Sequence, residues 1–121
     1  MAITTLTVNE VNNLNVFSSE ISPIVTAVDS TDKKAQFNMS AADQKYLILV
    51  QNNGSAAATV TFKTGNGIQG VADLSKSIGA GKYVFLQIES GRFKNVTGDN
   101  KGKVIIEGST TDIKVGVFKL P

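Results

Sequence analysis

The glycine-rich run Gly65–Gly70 comes closest, in residue types and spacing, to a known chemical site. It reads Gly-Asn-Gly-Ile-Gln-Gly, follows a segment with strand character, and has Glu89 about twenty residues further on. That pattern is typical of dinucleotide-binding loops, in which glycines let the backbone approach a pyrophosphate at a helix N-terminus. Such a helix needs about ten residues or more, and the turn Gly79–Gly81 follows too soon for it. We therefore interpret the run as an ordered loop between strands, with glycines supplying positive φ angles.

Side chains that commonly act as catalytic bases or metal ligands are scarce. The chain has no histidine and no cysteine, so it lacks the usual general base, the commonest transition-metal ligand and any thiolate. The segment Asp29–Asp32 offers oxygens to a calcium ion but lacks the further ligands of a full loop, so we interpret it as a turn. A carboxylate-dependent hydrolase would need two carboxylates within about 10 Å in a cleft, and it stays open as an alternative. We expect no enzymatic activity, no cofactor and no metal site.

Length and charge limit the classes of partner. A chain of 121 residues suits one domain with a real core. The net charge is only +2 and the charges are scattered, whereas a nucleic-acid-binding surface requires a basic stripe. No apolar stretch approaches the roughly 20 residues that span a bilayer. We therefore expect neither nucleic acid nor membrane as a partner.

The pattern from Ala35 onward is that of β-structure throughout. Some seven or eight short apolar or alternating segments are separated by turn residues, which predicts an all-β fold. We expect a single antiparallel β-sandwich or a jelly-roll-like barrel. Tyr46–Val50 is apolar throughout, as in a central strand. The dipeptide Asn53-Gly54 then predicts a hairpin, and residues 40–43 could cap a single helical turn before Tyr46.

The segment 82–96 combines a strand with a distinctive loop. Val84, Leu86 and Ile88 fall on one face of an extended strand, because side chains alternate with period two, and we expect that face to point to the core. Ser90-Gly91 then offers a turn.

Arg92, Phe93 and Lys94 lie on the loop after this strand and permit two interpretations. In the first, Phe93 fills the end of the sandwich and the two cations are solvated. In the second, the three residues anchor a protein interface, where arginine and aromatic residues are enriched. Both interpretations stay open at this point, and we take all three residues as interface candidates.

The first 36 residues differ from the rest, because their apolar positions fit neither a helix nor a strand template cleanly. We expect an extended N-terminal arm at residues 1–36 and a β-sandwich domain at residues 37–121. Such an arm has little of its own to bury against, which favours exchange between protomers. The arm's interface candidates are Leu6, Val11, Leu14 and Phe17.

Four stretches of the chain together resemble a family of small tailed-bacteriophage structural proteins. They are Gly65–Leu74, Glu89–Val96, Lys101–Val104 and Ile113–Val115, and the resemblance covers roughly residues 47–121. These family members are capsid decoration proteins, also called auxiliary or cement proteins. The resemblance implies a β-sandwich bound to the outside of the assembled shell, often as trimers, and bridging neighbouring capsid subunits.

The resemblance sets the functional expectation. We expect a virion protein on the capsid exterior, made in the host cytoplasm, whose partner is the major capsid protein and which forms a homotrimer. It would stabilise the shell across subunit boundaries by mass action. The alternative is a tail or head-fibre β-sandwich module that recognises a host-surface glycan, a function that usually requires exposed aromatic side chains.

Overall fold

The computed structural model describes residues 2–121, which form ten strands, one short α-helix and one 3-10 turn. The strands are β1 (Thr4–Thr5), β2 (Val8–Glu10), β3 (Thr26–Ala27), β4 (Lys34–Asn38), β5 (Tyr46–Asn52), β6 (Ala58–Phe62), β7 (Leu74–Ile78), β8 (Tyr83–Leu86), β9 (Lys103–Gly108) and β10 (Ile113–Lys119). The helical elements are the 3-10 turn Asp43–Lys45 and α1 (Ser90–Phe93). The all-β prediction is confirmed.

The strands form two mixed sheets. The first has the order β1-β4-β9-β6-β7, and the second has the order β2-β10-β5-β8, with β3 also pairing with β10. Two pairings are parallel, β1 with β4 and β2 with β10, so the purely antiparallel prediction is wrong at the N-terminal strands. The reason is long-range: the chain joins the edge of one sheet at Thr4, crosses at Leu6 and joins the edge of the other at Val8.

One core lies between the sheets. Phe37 from the first sheet meets Tyr46 from the second with ring centroids 5.9 Å apart. The period-two prediction for the segment 82–96 holds here: Ile88 is buried, Val84 and Leu86 are half-buried against the core, and Tyr83 and Phe85 point away from it. The largest fully buried side chains are Tyr46, Phe37, Phe62, Met39, Ile48, Ile78, Ile106, Ile113, Val50, Val104, Val115 and Val117. The two sheets therefore fold as one body.

The predicted hairpin at Asn53-Gly54 is wrong. β5 pairs with β8 and β10, whereas β6 pairs with β7 and β9, so the connection crosses from one sheet to the other. The buried Asn52 side chain holds the crossing: its amide nitrogen donates to the carbonyls of Ala56 at 2.8 Å and Ile78 at 2.9 Å. Its amide oxygen accepts the N–H of Gly54 at 2.9 Å. The Asn53-Gly54 dipeptide therefore lies in a connection between the two sheets that the Asn52 side chain stabilises, and not in a two-residue turn.

The Tyr46 side chain binds the backbone of the segment before β5. The Tyr46 hydroxyl accepts the backbone N–H groups of Ser40 and Ala41, each at 3.0 Å. Burial raises the pKa of Tyr46, but these donors and the charge of Lys119 outweigh it and lower the pKa below its ordinary value. The expected single turn lies at Asp43–Lys45, just after these residues.

The N-terminal region is joined to both sheets at several points. β1 pairs with the first sheet, and β2 and β3 pair with the second. Between β2 and β3 the chain leaves the sheets and turns through residues 13–16, with Asn15 at a φ of 61° that asparagine tolerates. The division of the chain at residue 36 into an arm and a domain stays a prediction.

Candidate functional site

Two loops meet at one end of the molecule. Residues 64–73 connect β6 to β7, and residues 90–97 comprise α1 and the segment after it; together they form what we call the loop surface. Asn66 joins the two loops: its side-chain oxygen accepts the N–H of Val96 at 2.7 Å, and its amide donates to the Thr97 carbonyl at 3.0 Å. The Gly65 N–H also donates to the Arg92 carbonyl at 2.8 Å. The loop surface is therefore an ordered structure.

Arg92 also ties α1 to the end of the β6–β7 loop. Its Nε donates to the Ala72 carbonyl at 3.1 Å and its Nη2 to the Asp73 carbonyl at 3.4 Å. The guanidinium carbon lies 4.8 Å from the centroid of the Phe93 ring, within range of a cation–π contact. Arg92 thus serves the loop architecture and is only half-buried.

Phe93 is a core residue. It is 3% exposed, and its ring meets that of Phe62 in an edge-on contact with centroids 6.4 Å apart. The helical turn Ser90–Phe93 directs this side chain inward, as the first of the two sequence interpretations expected. The neighbouring Lys94 is half-buried and forms a β-bridge with Val104. Phe93 therefore offers no exposed contact area to a partner.

The exposed apolar residues of the loop surface were not singled out from the sequence. Ile68 is 102% exposed, Val71 is 79% exposed and Val96 is 47% exposed. An isolated apolar residue in a glycine-rich loop carries no periodicity, so no pattern marked Ile68 or Val71. The bonds from Asn66 to the chain at Val96 and from Gly65 to Arg92 join the two loops, so these residues share a surface only in the folded chain.

An ion pair fixes both ends of the β6–β7 loop. The Lys63 ammonium lies 2.9 Å from Asp73 Oδ2, and the Thr64 N–H donates to Asp73 Oδ1 at 2.7 Å. The Thr64 N–H and then Lys63 lower the pKa of Asp73 below its ordinary value, while the bond to Asp73 raises the pKa of Lys63. Residues 90–103 add four basic residues against one acid. The charge around the loop surface is thus mainly positive.

The run Gly65–Gly70 forms part of this loop, as the sequence predicted, but the expected positive φ angles are wrong: none of Gly65, Gly67 and Gly70 has one. The Gly70 N–H donates to the Gly67 carbonyl at 3.0 Å, which closes a turn instead of starting a helix. Gly65 packs against the Lys94 backbone, where a Cβ atom would collide with the Lys94 carbonyl. The turn prediction for Asp29–Asp32 also holds, because Asp29 Oδ2 accepts the N–H groups of Thr31 and Asp32.

The arm candidates separate into buried and exposed residues. Leu6 is 5% exposed and belongs to the core, and Val11 is half-buried and donates its N–H to the Lys119 carbonyl at 2.9 Å. Leu14 is 79% exposed and Phe17 is 102% exposed. We call residues 13–17 the arm apex; with Val11 and Pro121 it lines a shallow apolar depression of about 500 Å³.

A second apolar feature lies between the sheets. β7 ends the first sheet and β8 ends the second, and a groove of about 300 Å³ runs between these two edge strands. We call it the edge groove. It is lined by Val50, Val60, Phe62, Leu74, Ser75, Lys76, Val84, Phe85 and Leu86.

Residues 2–121 contain no group of three or more acidic side chains placed to hold a metal ion. Within the same residues, none of the helices has the length and apolar character needed to cross a membrane.

Comparisons with known proteins add no relative. Neither a family model, nor a curated protein, nor a solved structure matches this chain.

Proposed function

We propose that this chain is a structural binding protein that decorates the outer surface of an assembled phage capsid. The observation that carries the proposal is the loop surface, two loops bonded to each other on which Ile68, Val71 and Val96 are exposed. Single exposed apolar residues are common, but three on one ordered pair of loops point to an interaction site. The same loops hold two of the sequence stretches that resemble capsid decoration proteins.

The order of this surface favours binding. The bonds from Asn66 to the chain at Val96 and from Arg92 to Ala72 hold the loops before any partner arrives. A preorganised surface loses less conformational entropy on association, so more of its contact energy appears as affinity. The basic residues around it would form the polar rim of the interface and would favour a capsid surface that carries acidic groups.

As a cement protein, this chain would bind through the loop surface at the boundaries between capsid subunits. The partner is then the major capsid protein, and the decorated shell gains stability because the bound protein favours the assembled state by mass action. The two sheets form a sandwich that serves as the rigid body, and a homotrimer on the capsid exterior would offer three copies of the loop surface to a symmetric shell.

Co-sedimentation with expanded, undecorated capsids of the encoding phage tests the proposal. Wild-type protein should bind saturably, and the double variant Ile68→Ser with Val71→Ser should bind at least about tenfold more weakly, since two apolar contacts are lost. Ile24→Ser is the matched control, because Ile24 is also exposed but lies just before β3, away from these loops. The absence of saturable binding by wild-type protein would refute the proposal.

A second candidate function is supported by a separate observation. Tyr83 is 56% exposed and Phe85 is 64% exposed on the outer face of β8, and the Gln51 amide donates to the Tyr83 hydroxyl at 3.0 Å. Aromatic faces beside an amide suit a sugar ring, as a fibre module for a host glycan would require. A glycan array in which wild-type protein gives hits that Tyr83→Ala abolishes would favour this function; an array without hits would eliminate it.

A further inference from the structure

The edge groove is an opening in the side of the fold. At the opposite side, the chain itself joins the two sheets, because it crosses at Leu6 between β1 and β2. At the groove side, no strand of residues 2–121 pairs with the outer edge of β7 or β8. Core-facing residues such as Val84 and Leu86 are only half-buried there. Apolar side chains are thus exposed at the groove, whereas elsewhere in the core they are covered.

One cation lies in the wall of the groove. Leu74, Lys76 and Ile78 alternate along β7 on the face that points inward, and Lys76 stands opposite the buried Val60. The three ion pairs among residues 2–121 involve other lysines, so no acid of the described chain pairs with Lys76. Inward-pointing charges on edge strands discourage indiscriminate strand pairing. The Lys76 ammonium also favours a binding partner in which an acidic side chain lies close to an apolar one.

The arm apex has the complementary composition. Leu14, Val16 and Phe17 are all exposed, and Glu20 follows Phe17 by three residues. Residues 11–28 contain this one acid and no base. The apex therefore offers an apolar side chain with a nearby negative charge, and the groove offers an apolar cleft with a nearby positive charge.

The positions of the apex and the groove make the contact intermolecular. The arm leaves the body after β2, which is one edge strand of the second sheet, whereas β8 is the opposite edge strand. With strands spaced about 4.8 Å apart, three intervals separate the two edges by roughly 14 Å. The apex is held on its own side at Val11 and again at β3. It therefore lies at the edge opposite its own groove, where a second copy can reach it.

We propose that the arm apex of one copy of this chain binds in the edge groove of a second copy, with Phe17 between β7 and β8 and Glu20 beside Lys76. The contact is head-to-tail, since two different surfaces meet, and such contacts generate closed rings when the rotation between copies closes. A ring of three rests on the proposed function, whereas the contact itself does not.

Site-directed cross-linking tests the contact directly, because the wild-type chain has no cysteine. Phe17→Cys protein and Val84→Cys protein are mixed under mild oxidation and separated without reductant. The expected result is a disulfide-linked dimer that contains one molecule of each variant. Ile68→Cys mixed with Val84→Cys is the control, because Ile68 is as exposed as Phe17 but lies on the loop surface. A cross-linking yield no higher than that of the control overturns the proposal.

A charge-reversal cycle tests the ionic part. Light scattering across a concentration series should show wild-type protein as an oligomer. Glu20→Lys and Lys76→Glu should each weaken association about tenfold, because each places like charges together. The double variant should restore most of the loss. A wild-type monomer throughout, or an oligomer insensitive to both single changes, contradicts the proposal.

The same proteins separate this inference from the proposed function. Phe17→Ser should weaken self-association yet leave the loop surface intact, so a monomeric variant should still bind capsids, though with the lower avidity of one site. If Phe17→Cys and Val84→Cys proteins cross-link above the control but wild-type protein never binds capsids, the contact between copies stands and the decoration function fails. If wild-type protein binds capsids and these two variants do not cross-link above the control, the reverse holds.

Discussion

The side-chain oxygen of Asn66 accepts the backbone N–H of Val96 at 2.7 Å and thereby connects the glycine-rich loop to the segment after α1. The same oxygen lies 3.4 Å from the N–H of Thr97, and the amide nitrogen donates to the Thr97 carbonyl. One side chain thus holds together two loops that are distant in the sequence. The order of the loop surface depends on it.

Asn66→Ala should lower the free energy of unfolding by about 1 kcal/mol, because exposed hydrogen bonds contribute modestly. It should also make residues 64–73 markedly more sensitive to protease, since the loop loses its main attachment. Limited proteolysis followed by mass spectrometry, together with urea unfolding, measures both effects. Asn53→Ala is the control, because Asn53 is also an exposed loop asparagine. Equal protease sensitivity of the two variants would contradict the assigned role.

The Asp73 carboxylate should contribute a pH-dependent part of stability. Its pKa is lowered below the ordinary 3.8 by the Thr64 N–H and by Lys63, so its contribution is present above that ordinary value and lost as pH falls through the lower, folded-state pKa. Asp73→Asn should be less stable than wild type at pH 6, by at most about 1 kcal/mol because the pair is partly exposed.

The difference in unfolding free energy between wild type and Asp73→Asn should shrink as pH falls from 5 to 2. Urea unfolding of both proteins across this range measures it, and the titration of the other acids cancels in the comparison. A difference that stays constant with pH would show that the carboxylate charge does not stabilise the β6–β7 loop.

Asn52 should tolerate no change of its hydrogen-bonding pattern. Its side chain is fully buried and donates to Ala56 and Ile78 while accepting from Gly54. Asn52→Ala should cost about 3 kcal/mol, since it leaves the buried Ile78 carbonyl and the part-buried Ala56 carbonyl without this partner. Asn52→Asp should cost more, although it is closer in shape, because a carboxylate would face two carbonyl oxygens. Urea unfolding compares them, and an aspartate variant more stable than the alanine variant would refute the bonding described.

Phe93 should act through stability and not through partner contact. Phe93→Ala removes a buried ring that meets Phe62 and should cost about 3–5 kcal/mol. Phe93→Leu keeps most of the apolar volume, so a folded Phe93→Leu protein should bind undecorated capsids as wild type does. Thermal unfolding checks the first expectation and co-sedimentation the second. Loss of capsid binding by a fully folded Phe93→Leu variant would contradict this prediction and indicate that Phe93 contacts the capsid.

Local patterns in the sequence predicted what depends on neighbouring residues alone. The alternation along residues 82–88 identified the core-facing Val84, Leu86 and Ile88, because side-chain direction in a strand follows from period two. The glycine spacing at Gly65–Gly70 was correctly interpreted as a loop, since too few residues follow it for a helix. Leu14 and Phe17 stood out as apolar residues without a local partner, and both are exposed.

Tertiary structure decided which strands pair and which side chains share a surface. Three features depend on contacts between residues far apart in the chain. They are the crossing after Asn52, the parallel pairing of β1 with β4 and of β2 with β10, and the inward direction of the Phe93 side chain. The loop surface exists because Asn66 reaches Val96, and the edge groove exists because β7 and β8 end different sheets. No local period encodes such relationships, because they are set by packing two sheets around one core.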